Sequence, residues 1–324
     1  MRVLAGDIGG TKSELVVYEG EHGAWQQTRC ERMASPAFDS IEALLRQFAP
    51  GPIDAAAFAV AGPVHAQRCR LVNVAWAEID ARTMQAVLGA PVVLANDFEA
   101  NAHGLDALPF DALIVLQQGV VDPNGPIGLI GAGTGLGHAL AVRTDRALQV
   151  IASEGGHSDF APHDETEVAL WRFLRVRHGE HVAVERAVSG PGLVEIHAFV
   201  IAEGLASSSP ETVTAMQNGD AAAAIATHAR TDPACARALS MFLALYGAEA
   251  GNFALKGLPT GGLFIAGGIA PRLIDRMRDG SFMQAFLAKG RMRATLERIR
   301  VSVVMEPRVG LLGARALAAG LVPG

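Results

Sequence analysis

Val3-Leu-Ala-Gly-Asp-Ile-Gly-Gly-Thr-Lys-Ser-Glu-Leu-Val-Val-Tyr18 sets a glycine-rich loop, Gly6 to Thr11, between two apolar runs, Val3 to Ala5 and Ser13 to Tyr18. β-branched and aromatic residues on both flanks favour strands, and Glu19-Gly20 turns the chain after the second run. The stretch therefore reads as a hairpin wrapped around a loop. Gly6-x-x-x-x-Thr-Lys-Ser13 lies one residue from the P-loop pattern, but Thr11 stands where the second glycine belongs. A strand also follows it in place of the helix that pattern requires. The better reading is a hairpin phosphate clamp: Gly9 and Gly10 let the backbone approach, Thr11 donates a hydroxyl, and Asp7 faces a hydrated Mg²⁺.

Further along, the scheme restarts. Apolar runs Leu113 to Leu116 and Ile127 to Ile130 lead into Gly131-Ala-Gly-Thr-Gly-Leu-Gly137, and His138 to Val142 follows as a second flank. A hairpin around a glycine loop, met twice, reads as a distant internal duplication visible in architecture rather than residue by residue. Between the two hairpins, Ile53 to Ala61 and Pro91 to Ala95 read as buried parallel strands, with acid-capped helices Asp39 to Phe48 and Asp80 to Leu88. After Pro162 the chain turns helical. Asp164-Glu-Thr-Glu167 is a capping-box start for a helix through Arg177, Ser209-Pro-Glu211 opens another, and Pro233 to Lys256 is long and apolar. Leu263 to Ala266 is a strand ending in Gly267-Gly268, with Pro271 opening a helix, and Val309 to Ala319 is a helix able to return to the start of the fold.

A chain of 324 residues is long for one hydrophobic core, so two α/β lobes are expected. We place them at 1–108, with a C-terminal helix over 300–324 returning to it, and 109–299. Half the residues are hydrophobic and 19% charged, the profile of a packed enzyme rather than a disordered chain. A net charge of −6 argues against a nucleic-acid backbone as partner, and the basic run Lys289 to Arg300 reads as a solvated helix face. Cys30, Cys69 and Cys235 are odd in number and far apart, supporting neither a disulfide framework nor a Cys-x-x-Cys metal site. The uncharged run Pro123 to Val142 is too glycine-rich for a membrane span, and no other segment is expected to approach one. The N-terminus offers no signal-peptide core before Asp7, so a cytoplasmic protein is expected.

Asn96-Asp97 closes an apolar strand, the usual address of function in α/β proteins, though a helix N-cap would also explain Asp97. Two loops able to wrap phosphate oxygens, with one carboxylate between them to take a hydroxyl proton, point to phosphoryl transfer from a nucleotide to an alcohol. Glu154-Gly-Gly-His157 places a carboxylate and an imidazole around a flexible turn, suited to the hydroxyls of a polyol. No cysteine or second histidine stands at zinc spacing from His157. Glu185, taken alone, reads as a surface acid.

These stretches, with Ala61-Gly-Pro63, Ala95-Asn-Asp97, Glu154-Gly-Gly-His-Ser-Asp-Phe-Ala-Pro162, Glu185-Arg-Ala-Val-Ser-Gly-Pro-Gly192, Phe264-Ile-Ala-Gly-Gly-Ile-Ala-Pro-Arg272 and Gly310-Leu-Leu-Gly313, resemble the bacterial glucokinases of the hexokinase and actin-like superfamily. The resemblance runs nearly the whole chain. It implies the two-lobed actin-like (ribonuclease H-like) ATPase fold with an interlobe cleft, ATP and Mg²⁺ as cofactors, D-glucose as acceptor and a homodimer. It implies Asp97 as general base, with Asn96, Gly135, Glu154, His157 and Glu185 on the glucose hydroxyls. Gly6, Asp7, Ile8, Gly9, Gly10, Thr11, Thr134, Gly267 and Gly268 would hold the nucleotide. Lys12-Ser13 departs from this group and is closer to the related ROK family, yet that family's cysteine-rich zinc motif is absent after His157. Alternatives on the same fold are a kinase for another hexose or N-acetylhexosamine, or a nucleotide-dependent sugar sensor. A transcription regulator would need a DNA-binding segment ahead of a glycine loop that begins at residue 6.

Overall fold

Arg2–Ile8 (β1) and Lys12–Glu21 (β2) pair antiparallel, with Gly9 N–H donating to Lys12 O at 3.0 Å to close the turn. The first hairpin is thus as the sequence predicts, and no helix follows its loop. The computed structural model describes residues 1–21, 24–71, 74–109, 111–144 and 148–322. These fall into two compact units. One comprises Met1–Ala112, Val150–Ala152 and Glu306–Gly324; the other comprises Leu113–Gln149 and Ser153–Met305.

In the first unit the edge strand Ala24–Ala34 (β3) continues from the hairpin, and Ile41–Phe48 (α1) crosses to Ala55–Val60 (β4). A small sheet, Val64–His65 (β5), Arg68–Cys69 (β6) and Ile79–Asp80 (β7), precedes Ala81–Leu88 (α2), Val92–Asn96 (β8) and Asp97–Gly104 (α3). The large sheet runs β3-β2-β1-β4-β8, with β1, β4 and β8 parallel. β4 is buried along its full length, as a central parallel strand covered on both faces must be. Helix α1 starts at Ser40, whose hydroxyl accepts from Ala43 N–H, so the expected start at Asp39 moves inward by a turn's edge.

The second unit opens with Leu113–Gln117 (β9), Ile127–Ala132 (β10) and Leu136–Arg143 (β11), followed by Leu148–Ser153 (β12), whose residues Val150–Ala152 are grouped with the first unit. Helices Glu165–His178 (α4), Gly190–Ala202 (α5), Pro210–Gln217 (α6), Ala221–His228 (α7) and Pro233–Gly257 (α8) follow. Gly262–Ala266 (β13), the short helices Ile274–Met277 (α9), Ser281–Leu287 (α10) and Arg293–Leu296 (α11), and Val301–Val304 (β14) complete it. Its sheet runs β12-β11-β10-β13-β14-β9, with β10, β13 and β14 parallel. Stripped of β9, this is the strand order of the first unit again. The basic run does not form one solvated helix face: α11 is four residues long, and Lys289 is half-buried against Asn252.

Two expectations need correction. The returning helix does not begin at 300: Val301–Val304 is a fully buried strand of the second sheet, and the return starts at Glu306 with Val309–Gly320 (α12). Three valines in four residues, with Ser302 between the first two, are β-branched and prefer the covered sheet position. Helix α8 is also long and apolar enough to cross a membrane by length and composition, although no such segment was expected. Here it is a core helix: Phe242, Tyr246 and Ala250 are fully buried, and the hydroxyl of Tyr246 accepts from Ala132 N–H at 3.0 Å.

Candidate active site

Parallel strands end in one direction, and the first unit collects its acids there. Asp7 pairs with Ala59 and Ala59 with Ala95, so Asp7 lies two strands from Ala95, about 10 Å at ordinary strand spacing, and Asp97 follows two residues further along. Asn96 is the N-cap of α3: its Oδ1 accepts from Phe98 N–H at 2.9 Å, and Glu99 reaches back to Asn96 N–H. Its Nδ2 donates to Gly62 O at 3.1 Å. The capping role weighed for Asp97 therefore belongs to its neighbour. Asp97 uses Oδ1 to accept from Phe98 N–H at 3.0 Å, the Asn96 side chain also favours its charged form, and Oδ2 is otherwise without a hydrogen bond among the described residues. Burial pushes the Asp97 carboxyl up to about 6; the Phe98 amide opposes this, and the nearby charge of Asp7 adds to it.

Asp7 is raised by burial first and Glu14 second, with Lys12 and Arg32 pulling the other way. No hydrogen bond reaches its carboxylate among the described residues, which leaves a hard oxygen donor facing a cationic Lys12, a fit for a hydrated Mg²⁺ carried by a triphosphate. Gly9, Gly10 and Thr11 form the turn itself, braced by Ser35, which donates its hydroxyl to Gly9 O at 2.6 Å and its amide to Thr11 O at 3.1 Å. Ser13, the departure toward the ROK pattern, is buried and hydrogen-bonded to Ser35 Oγ at 2.9 Å. Gly6 and Ile8 are buried in β1; a side chain on Gly6 would meet Phe58 at 2.4 Å, and Ile8 packs in the core. Those two positions shape the strand, and the loop proper is Gly9 to Thr11.

The second unit assembles the other predicted residues. The turn Gly155–His157 lies flat on β11: a Cβ on Gly156 would stand 2.0 Å from Leu136 O, and one on Gly155 would stand 2.3 Å from His138 Nδ1. A β-bridge between Asp159 and Ala183, with Val184 N–H donating to Ser158 O at 2.8 Å, brings Glu185 beside that turn. His157 Nδ1 then lies 3.6 Å from Glu185 Oε1, and His157 Nε2 lies 3.9 Å from Glu154 Oε2. Glu185 Oε2 accepts from Leu136 N–H at 3.3 Å, and a Cβ on Gly135 would come within 2.8 Å of it. Gly135, Glu154, His157 and Glu185 thus form one polar group, with Glu154 and His157 well exposed and Glu185 half-buried.

On the other side of the same loop, Gly133 and Thr134 border a cavity of about 520 Å³, with Gly268 also on its wall. Gly267 beside it takes φ +80 with Ala132 O 2.6 Å from where a Cβ would be, so only glycine fits the turn after β13. The predicted sugar and nucleotide residues of this unit therefore share the loop Gly133 to Gly137. Asp7, Asn96 and Asp97 belong to the first unit and the rest to the second. Sequence reasoning passed over Ser35, and over Asp220 and Arg272 on the cavity wall. Only the motif ending in Arg272 held a signal for any of them.

His197, Asp232 and Cys235 place ligand-type atoms within 4.8 Å of one another. Their bonds are already made. His197 Nε2 meets Ser208 Oγ at 2.8 Å, Ser208 donates to Asp232 Oδ1 at 3.0 Å, and the amides of Ser209 and Cys235 complete the Asp232 shell. Burial pushes the Cys235 thiol up to about 12, with the Asp232 charge adding to it.

Two α/β units of one strand order, each ending its parallel strands in glycine loops and polar groups, define the two-lobed sugar-kinase class. A model of the Glucokinase family matches residues 4–321. The glucokinase of Nostoc punctiforme (strain ATCC 29133 / PCC 73102) is 41% identical over 343 residues, covering 98% of this chain and 99% of that protein. The crystal structure of glucokinase from an Antarctic psychrotroph matches with a TM-score of 0.83 at 29% identity, covering 98% of this chain and 99% of the other. A ROK family glucokinase from Streptomyces griseus, in complex with glucose and AMPPNP, shares the fold with a TM-score of 0.67 at 22% identity, covering 99% and 100%. The chain belongs to the glucokinase family and is an ATP-dependent hexose kinase.

Proposed function

We propose that this chain transfers the γ-phosphoryl group of MgATP to the C6 hydroxyl of D-glucose, with Asp97 as the general base. The observation that carries the reading is Asp97 itself: a carboxylate at the end of a parallel strand, relieved of capping by Asn96 and with its carboxyl pushed up to about 6. Near neutral pH such a group is mostly ionised yet basic enough to share a proton in the transition state. The C6 oxygen attacks the γ-phosphorus while its proton passes to Asp97; the bond from γ-phosphorus to the β-γ bridging oxygen breaks, and ADP leaves. Glu154, His157, Glu185 and Asn96 hold the sugar hydroxyls. Thr134, the amides of Gly267 and Gly268, and the turn Gly9, Gly10 and Thr11 are the triphosphate ligands of this reading. Asp7 would hold Mg²⁺ through water, which neutralises phosphate charge. The same reading takes the protein to act in the cytoplasm, in glycolysis, as a homodimer.

A coupled assay across glucose, mannose, fructose and N-acetylglucosamine tests the acceptor. Glucose should give the highest kcat/KM, because a site that hydrogen-bonds a hydroxyl leaves buried groups unpaired when that hydroxyl is replaced. Faster turnover of N-acetylglucosamine at equal subsaturating concentration would assign the chain to the N-acetylhexosamine alternative.

A further inference from the structure

The cavity beside Gly133 and Thr134 has walls of carbon. Pro191 and Val194 from α5, Ala222 and Ala226 from α7, and Ile269 after β13 supply aliphatic faces. Besides Thr134, the polar side chains on its lining are Asp220 and Arg272. Asp220 is the N-cap of α7, its Oδ1 accepting from Ala223 N–H at 3.1 Å. Arg272 is exposed and makes no hydrogen bond or ion pair among the described residues, and its guanidinium is a donor-only group. At about 520 Å³ the space suits a nucleoside rather than a sugar alone.

Adenine and guanine present nearly the same flat faces and differ at one edge, where adenine carries an amino donor and guanine a carbonyl acceptor. A site rejects the wrong base by 10⁴ or more only when a buried polar group matches that edge and is left unpaired by the other base. Aliphatic walls discriminate by shape, and the shapes here are close. Asp220 spends Oδ1 on the cap and Arg272 offers only donors, and both are exposed, so neither is a buried group that reads the edge. We propose that this cavity holds the nucleoside and accepts purine triphosphates with little discrimination, so that GTP and ITP serve as phosphoryl donors beside ATP. This rests on the reading that the loop Gly133 to Gly137 binds the donor nucleotide. Pyrimidine triphosphates, with a single ring to bury against the alanine face, serve less well.

The test is kcat/KM for MgATP, MgGTP, MgITP and MgCTP at saturating glucose, read by glucose 6-phosphate formation, in the parent and in Ala222→Leu. The expected ratio of ATP to GTP and of ATP to ITP is about 10 or less. A ratio above about 30 for either purine overturns the proposal, since it requires a buried edge-reading group, which the Asp220 and Arg272 side chains do not supply. Ala222→Leu should raise KM for ATP and GTP by the same factor and leave KM for glucose unchanged. Nucleotide KM values equal to the parent's place the base elsewhere and overturn the proposal even if the ratio is small. Thermal unfolding of the variant guards against a folding defect, and Ala226→Val narrows the same wall if Ala222→Leu fails to fold. Failure of every triphosphate to phosphorylate glucose would remove the donor-site reading itself, and the base proposal with it.

Discussion

Asn96 and Asp97 are adjacent in sequence and opposite in use. Either could cap a helix, and the residue names do not say which; the extended backbone at Asn96 and its bonds to Phe98 and Gly62 decide it. The freed Asp97 pays electrostatically. Its folded-state pKa of about 6 lies above the ordinary carboxylate value, so its protonated form stabilises the fold fully below about pH 4, and that contribution is lost as pH rises through 6. Asp97→Asn removes the cost of the buried charge. At pH 7.5 the variant should be more stable than the parent by roughly 1–3 kcal/mol, and at pH 4 the two should coincide. Thermal unfolding at both values checks this; equal stability at pH 7.5 would mean the carboxylate is well solvated in the fold.

Helix α3 carries Asp97 at its first position and lies directly on α12. A Cβ on Gly313 would stand 1.7 Å from Ala100 O, and one on Gly104 would stand 2.1 Å from Val309 O, so backbone meets backbone at the crossing. Arg308, at the head of α12, is tied to Glu14 on β2, with Arg32 on the acid's other oxygen. Gly313→Ala must push α3 away. It should destabilise by about 1–3 kcal/mol and lower kcat about tenfold or more, while Gly320→Ala on the same helix, with open space around it, should do neither. A Gly313→Ala variant with parental kcat and melting temperature would show that the crossing does not position Asp97. Helices with polar caps were legible in the sequence: Asp80, Asp164 and Ser209 each cap where a helix was expected. The small sheet β5 to β7 was not, because two-residue strands carry too few side chains to show a period; what fixes it is Gln67, whose amide pairs with both N–H and O of Leu94.

Across the whole molecule, the duplication suspected from two glycine hairpins holds at the level of strand order, β3-β2-β1-β4-β8 against β12-β11-β10-β13-β14, with β9 added antiparallel at one edge. The hairpins were readable because glycine loops between β-prone runs are local signals. The grouping of Glu185 with Glu154 and His157 was not readable from residue pattern, since it depends on a bridge between Asp159 and Ala183, twenty-four positions apart; only the family resemblance named it. The satisfied His197, Ser208 and Asp232 network predicts that exhaustive zinc chelation, with Mg²⁺ resupplied, leaves melting temperature and activity unchanged. Loss of both, restored by zinc alone, would show that a metal organises the fold.

The central claim is that Asp97 accepts the proton of the glucose C6 hydroxyl. The most direct measurement compares glucose binding by calorimetry with turnover by coupled assay in the parent and in Asp97→Asn, which keeps the shape and the bond from Phe98 but cannot take a proton. The predicted result is glucose affinity within a few-fold of the parent and kcat lower by about 10²–10⁴. Bound glucose with turnover within a few-fold of the parent would contradict the account and leave Asp97 as a sugar ligand alone.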